Sequence, residues 1–97
     1  MIDLDPVLLE EVRGILRDHV PDCEVRIFGS RVNGTAQRYS DLDLILVGAD
    51  RLSSATLARL KEAFALSDLP ILVDVLDWAA ISDEFREIIE KRYEVLQ

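Results

Sequence analysis

Glu24-Val25-Arg26-Ile27-Phe28-Gly29-Ser30 and Asp41-Leu42-Asp43-Leu44-Ile45-Leu46-Val47 bracket a short polar segment, and together they decide the fold. Residues 24–28 read as a short strand that turns at Gly29. Residues 29–40 are polar and glycine-containing, and 41–47 form the strongest strand in the chain. Apolar residues occupy both faces after Asp43, which predicts a strand covered on both sides. This polar connection is too brief for an ordinary parallel crossover, which must fit a helix and its turns. The sheet is therefore expected to be mixed.

Outward from this core the chain alternates. Asp5-Pro6 reads as an N-cap with proline at the first helical position. Leu8, Val12, Ile15, Leu16 and His19 then recur at helical spacing, up to a stop at Pro21. Leu52-Ser53 opens a second long helix with Leu57, Leu60 and Phe64 on one side. Ser67-Asp68-Leu69-Pro70 is a turn, and Ile71 to Leu76 a third strand. Ser82 caps a final helix with Asp83 and Glu84 in its first turn, its buried face expected from Phe85, Ile88, Ile89 and Leu96. The order αβαβαβα predicts one layered α/β (α+β) domain over residues 1–97, a small mixed sheet flanked by helices.

The 97 residues carry a formal net charge of −8, with 49% hydrophobic and 31% charged residues. That balance opposes a free-standing DNA or RNA binder, which needs a basic patch for phosphates, and adsorption to an anionic membrane. It suits a partner with a basic face or a site that gathers divalent cations. The single cysteine, Cys23, reads as a small apolar filler in a reducing, cytoplasmic setting. Met1 to Pro6 lacks the basic and apolar stretches of a secretion signal, and no apolar run approaches the ~20 residues of a membrane span.

Chemistry is concentrated in acids placed on strands. Asp41 and Asp43 are two apart, so their carboxylates project from one face with Cα atoms roughly 6–7 Å apart. Such a pair can converge on one hard cation, or on two ions about 3.5–4 Å apart. Asp74 stands inside Ile71-Leu72-Val73-Asp74-Val75-Leu76, where a lone carboxylate is expensive to bury. It completes a carboxylate triad if its strand lies beside 41–47, or else pairs with Arg26 or Arg31. Asp77 is the rival third acid, and a turn or capping role is easier for it. Gly29-Ser30 allows close backbone approach to a ligand, and a following helical turn would offer N–H groups to a phosphate.

Gly29-Ser30, ten residues, then Asp41-Leu42-Asp43, with a later acid in an apolar strand, resembles the signature of the DNA polymerase β-like nucleotidyltransferase superfamily. The stretch Gly29 to Leu44 is similar to its minimal MNT branch, the antitoxin partners of HEPN-domain toxins. The resemblance continues through Val73–Trp78 and Phe85–Glu90. It implies that Gly29 and Ser30 hold the β- and γ-phosphates of ATP, and that Asp41 and Asp43 bridge two Mg²⁺ ions. It further implies that Asp74 binds the catalytic metal and helps activate the attacking hydroxyl. Arg31 either neutralises phosphate charge or pairs with the acidic cluster. Arg38 and Tyr39 approach nucleotide or partner, or are simply solvated.

The activity so implied is Mg²⁺-dependent transfer of AMP to a tyrosine of a HEPN ribonuclease toxin, in a hetero-oligomer without direct nucleic-acid contact. Two alternatives stand beside it. One is nucleotidylation of a small-molecule hydroxyl with the help of a second subunit. The other is a non-catalytic antitoxin that inhibits by binding.

Overall fold

Four strands form one sheet in the order β3-β2-β1-β4 in a computed structural model that describes residues 2–97. Its elements are α1 (Pro6–His19), β1 (Glu24–Phe28), α2 (Ser30–Asn33), β2 (Leu42–Val47), α3 (Ser54–Ala65), β3 (Val73–Asp77), α4 (Asp83–Lys91) and β4 (Glu94–Val95), with a 3₁₀ turn at Trp78–Ala80. The sheet is mixed, as its short first connection requires. β1 pairs antiparallel with β2, and β2 pairs parallel with β3 through the α3 crossover.

Local chemistry sets the helix starts. The Asp5 carboxylate accepts from the Val7 N–H at 2.8 Å, with Pro6 opening α1. Ser53 accepts from Thr56 N, and Ser82 from Phe85 N. Each hydroxyl or carboxylate satisfies a donor that the first helical turn leaves free. α2 is a single turn closed by Gly34, whose φ of 80° is the left-handed C-cap that glycine accepts without penalty.

The pleat divides the side chains between two layers. Val25, Ile27, Leu42, Leu44, Leu46 and Val75 meet Val12 and Leu16 of α1 and Leu60 and Phe64 of α3 in the main core. The opposite face carries Phe28, Asp43, Ile45 and Asp74, because partners in register share a face. There the Phe28 ring meets Phe85 of α4 edge to face, with centroids 5.9 Å apart. Leu44, Ile45 and Leu46 are all fully buried, which is the two-sided cover expected of this strand.

Three expectations need correction. The third strand begins at Val73 rather than Ile71, although the Leu72 carbonyl still accepts from the Leu42 N–H at 2.9 Å. Ile88 is 62% exposed, because α4 turns only Phe85 and Ile89 toward the sheet. Leu96 is buried, yet not on α4. The helix ends at Lys91, and Glu94–Val95 pairs antiparallel with β1, which delivers Leu96 to the main core.

Ile45→Ala is expected to destabilise the fold by about 2–5 kcal/mol, the usual range for truncating a fully buried isoleucine. Ile88→Ala should stay within about 0.5 kcal/mol of the parent. Urea titrations followed by circular dichroism compare the two.

Candidate active site

One end of the sheet gathers the C-terminus of β1 and the N-termini of β2 and β3. Phe28 pairs with Asp43 across the antiparallel ladder, and Asp43 pairs with Asp74 across the parallel one. Asp43 and Asp74 are therefore neighbours on the α4 face of the sheet. Asp41, just before β2, shares their side by the strand's period of two. Asp41 and Asp74 are exposed and Asp43 is half-buried.

The electrostatics follow from this crowding. Burial first, then the charges of Asp74 and Asp41, push the Asp43 carboxyl above the usual aspartate range. Among the described residues the ion pairs are Arg13–Glu10, Arg26–Glu24 and Arg86–Asp83, and none involves the three acids. Arg26 pairs with Glu24 and lies over the rings of Trp78 and Tyr93, so it does not neutralise Asp74. No group of three His, Cys, Asp or Glu side chains among the described residues forms a ready-made metal cage. Carboxylate oxygens close together and lacking a protein cation nonetheless suit Mg²⁺, which takes one or two carboxylates and completes its shell with water and phosphate oxygens.

Gly29 stands at the lip of this site. Its φ of 80° and ψ of −155° belong to a region that side chains avoid, and a Cβ added there would collide with the Asp43 carboxylate. Glycine is thus required twice, for the turn and for the acid. Ser30 follows as the first residue of α2. The Gly29 carbonyl accepts from Val32 and Asn33 N–H, while the first N–H groups of such a turn have no helical acceptor.

Two residues take other roles. Asp77 lies on the opposite face of β3 from Asp74, since three positions separate them, and it is 5% exposed. Its two carboxylate oxygens accept from Leu52 N at 2.9 Å and Ala79 N at 3.1 Å, so it joins the start of α3 to the 3₁₀ turn. Arg31 makes no ion pair with the acidic cluster. Its guanidinium is buried and donates to the backbone carbonyls of Asp3, Gln37, Arg38 and Ser40. Its position after Gly-Ser suggested a ligand, and nothing in the spacing signalled burial. Arg38 lies over the ring of Tyr39, which is exposed. Cys23 is buried and free, its thiol raised first by burial and then by Asp77 and Asp22.

The sequence matches the nucleotidyltransferase domain family over residues 9–96. The chain belongs to that family. A 51% identical relative, the probable protein adenylyltransferase MntA of Haemophilus influenzae, aligns over 96 residues, 99% of this chain and 84% of that protein. A crystal structure of a toxin–antitoxin complex with AMP-PNP matches with a TM-score of 0.77 at 28% identity, covering 92% of this chain and 72% of that one. A structure of the tri-AMPylated Shewanella oneidensis HEPN toxin in complex with its MNT antitoxin matches with a TM-score of 0.71 at 24% identity, a likeness of fold that covers 94% of this chain and 70% of that one. No helix among the described residues of this nucleotidyltransferase is long and apolar enough to cross a membrane.

Two predictions concern the site without ligand. A carboxyl raised in the folded state holds its proton where the unfolded chain has lost it, so it weakens the fold as pH rises through that window. Asp43→Asn should therefore melt a few degrees above the parent at neutral pH, with the gain fading below the ordinary aspartate range. Scanning calorimetry across pH measures this. Gly29→Ala should cost at least about 1–3 kcal/mol from its backbone conformation alone, read from urea denaturation.

Proposed function

We propose that this nucleotidyltransferase moves AMP from ATP to a protein hydroxyl, a tyrosine of a cognate HEPN ribonuclease toxin, and acts as that toxin's antitoxin. The observation that carries the reading is the placement of Asp41, Asp43 and Asp74 on one face, beside a glycine turn that only an absent Cβ allows. The 51% identical relative is a probable protein adenylyltransferase, which supports a protein acceptor. The net charge of −8 supports it too, since a bare nucleic-acid acceptor would be repelled.

In this reading Gly29 and Ser30 receive the β- and γ-phosphates. Asp41 and Asp43 hold Mg²⁺, with Asp74 as the third carboxylate. When bound, the metal neutralises charge on the transferring phosphate and lowers the pKa of the acceptor hydroxyl. The acceptor oxygen bonds to the α-phosphorus, the bond to the β-phosphate oxygen breaks, and pyrophosphate leaves. The tyrosine proton passes to an Asp74 carboxylate oxygen, which β3 holds beside Asp43. The setting is cytoplasmic, and the working assembly is a hetero-oligomer with the toxin.

Incubation with α-labelled ATP, Mg²⁺ and the cognate toxin is expected to label a toxin tyrosine, and the Asp41→Asn/Asp43→Asn variant or EDTA should abolish the label. Label only on an added aminoglycoside would move the acceptor to small molecules. Protection of cells by the double variant without any label would replace catalysis with occlusion.

A further inference from the structure

Arg31 is the most deeply buried cation among the described residues, 6% exposed. Arginine is rarely buried so far unless paired. Here every partner of its guanidinium is a backbone carbonyl. Nη1 donates to Asp3 O at 2.9 Å, and Nη2 is shared among Ser40 O at 2.9 Å and Gln37 O and Arg38 O at 3.3 Å each. The Arg31 carbonyl in turn accepts from Asp3 N at 2.7 Å. The segment it grips is a closed loop: Gln37 N donates to Ser40 Oγ at 2.8 Å, and Ser40 N to Gln37 O at 3.1 Å.

The places these bonds join are adjacent to the site on both sides. Arg31 follows Ser30 of the glycine turn, and Ser40 precedes Asp41. The connection from α2 to β2 has no ladder or helix of its own between Gly34 and Asp41. A single planar guanidinium spans it, and its fixed fork of donors suits that task as a lysine ammonium does not.

We infer that Arg31 is a positioning residue, which sets the Gly29–Ser30 turn and the Asp41–Asp43 acids at the separation that a metal–triphosphate needs. This rests on the reading of the site given above. Its direct contacts are backbone oxygens, so its influence on ligand runs through the 37–40 loop.

The test uses the whole chain, its Arg31→Lys and Arg31→Met variants, and AMP-PNP with Mg²⁺ as the probe, below the melting temperature of each. Calorimetric titration should show both variants needing roughly 10–100-fold more Mg²⁺ for half-maximal AMP-PNP binding, the range typical when a group that orients metal ligands is lost. Lysine should restore only part. Hydrogen exchange by mass spectrometry should quicken over residues 37–41 while β1 and β3 keep their protection. Folded variants with the parent's Mg²⁺ requirement would overturn the inference. Full restoration by lysine would also do so, since it would mark a simple charge contact with phosphate. Should neither variant fold, the parent alone decides: amides of 37–41 exchanging at the rate of a free loop without ligand would exclude the clamp. A parent that fails to bind Mg²⁺–AMP-PNP would overturn the function reading itself, and this inference with it.

Discussion

Asp43 sits directly beside Asp74 and directly opposite Phe28, and the rest of the molecule depends on that double register. Strand side chains alternate, so a slip of one residue in either ladder would send Asp43 into the α1–α3 core. The slip is prevented from both layers. Leu42, Leu44 and Leu46 are fully buried on one side and Ile45 on the other, so a shift would move at least one of them to the acidic end or into solvent. Hydrophobic pattern thus aims the carboxylates, and the two roles of the strand cannot be separated.

The same parity sorts the two acids of β3. Asp74 shares the face of Asp43 and is left exposed, while Asp77 faces the α1–α3 layer and spends both oxygens on backbone N–H groups. One strand therefore holds an exposed carboxylate beside Asp43 and a structural one three residues apart. The charged side chains nearby are similarly divided. Arg26 is taken up by Glu24, Trp78 and Tyr93, and Arg31 by carbonyls, so no ion pair among the described residues compensates the three acids. The folded chain bears a local repulsion there, and any cation bound by these acids would relieve it and so stabilise the fold.

Much of this was legible in the residues themselves. The helix caps at Asp5 and Ser82 stand where their side chains predict, and the short link from Phe28 to Asp41 pointed to the mixed sheet that the antiparallel β1–β2 pair makes. The apolar run after Asp43 announced a strand buried on both faces. Asp74 as a neighbour of Asp43 followed from the crossover, given that β2 and β3 are adjacent. Three features were hidden, each for a physical reason. Glu94–Val95 is too short to show a period, so the helical pattern seemed to run on to Leu96. Ile88 matched the helical spacing, but α4 presents only a narrow stripe to the sheet. Arg31 was concealed because burial of a cation against scattered carbonyls leaves no trace in composition or spacing.

Residues 94–97 close the sheet over β1. β4 covers the β1 edge, Val25 O accepts from Leu96 N at 2.7 Å, and the Gln97 amide donates to the Val20 and Cys23 carbonyls across 77 and 74 positions. β1 is an interior strand only once that tail has arrived. During synthesis β1 precedes both of its neighbours, so its edges wait for partners further along the chain. The native sheet is therefore completed by pairing between segments about 70 positions apart. Until they pair, an open β1 edge can be misjoined or held by a chaperone.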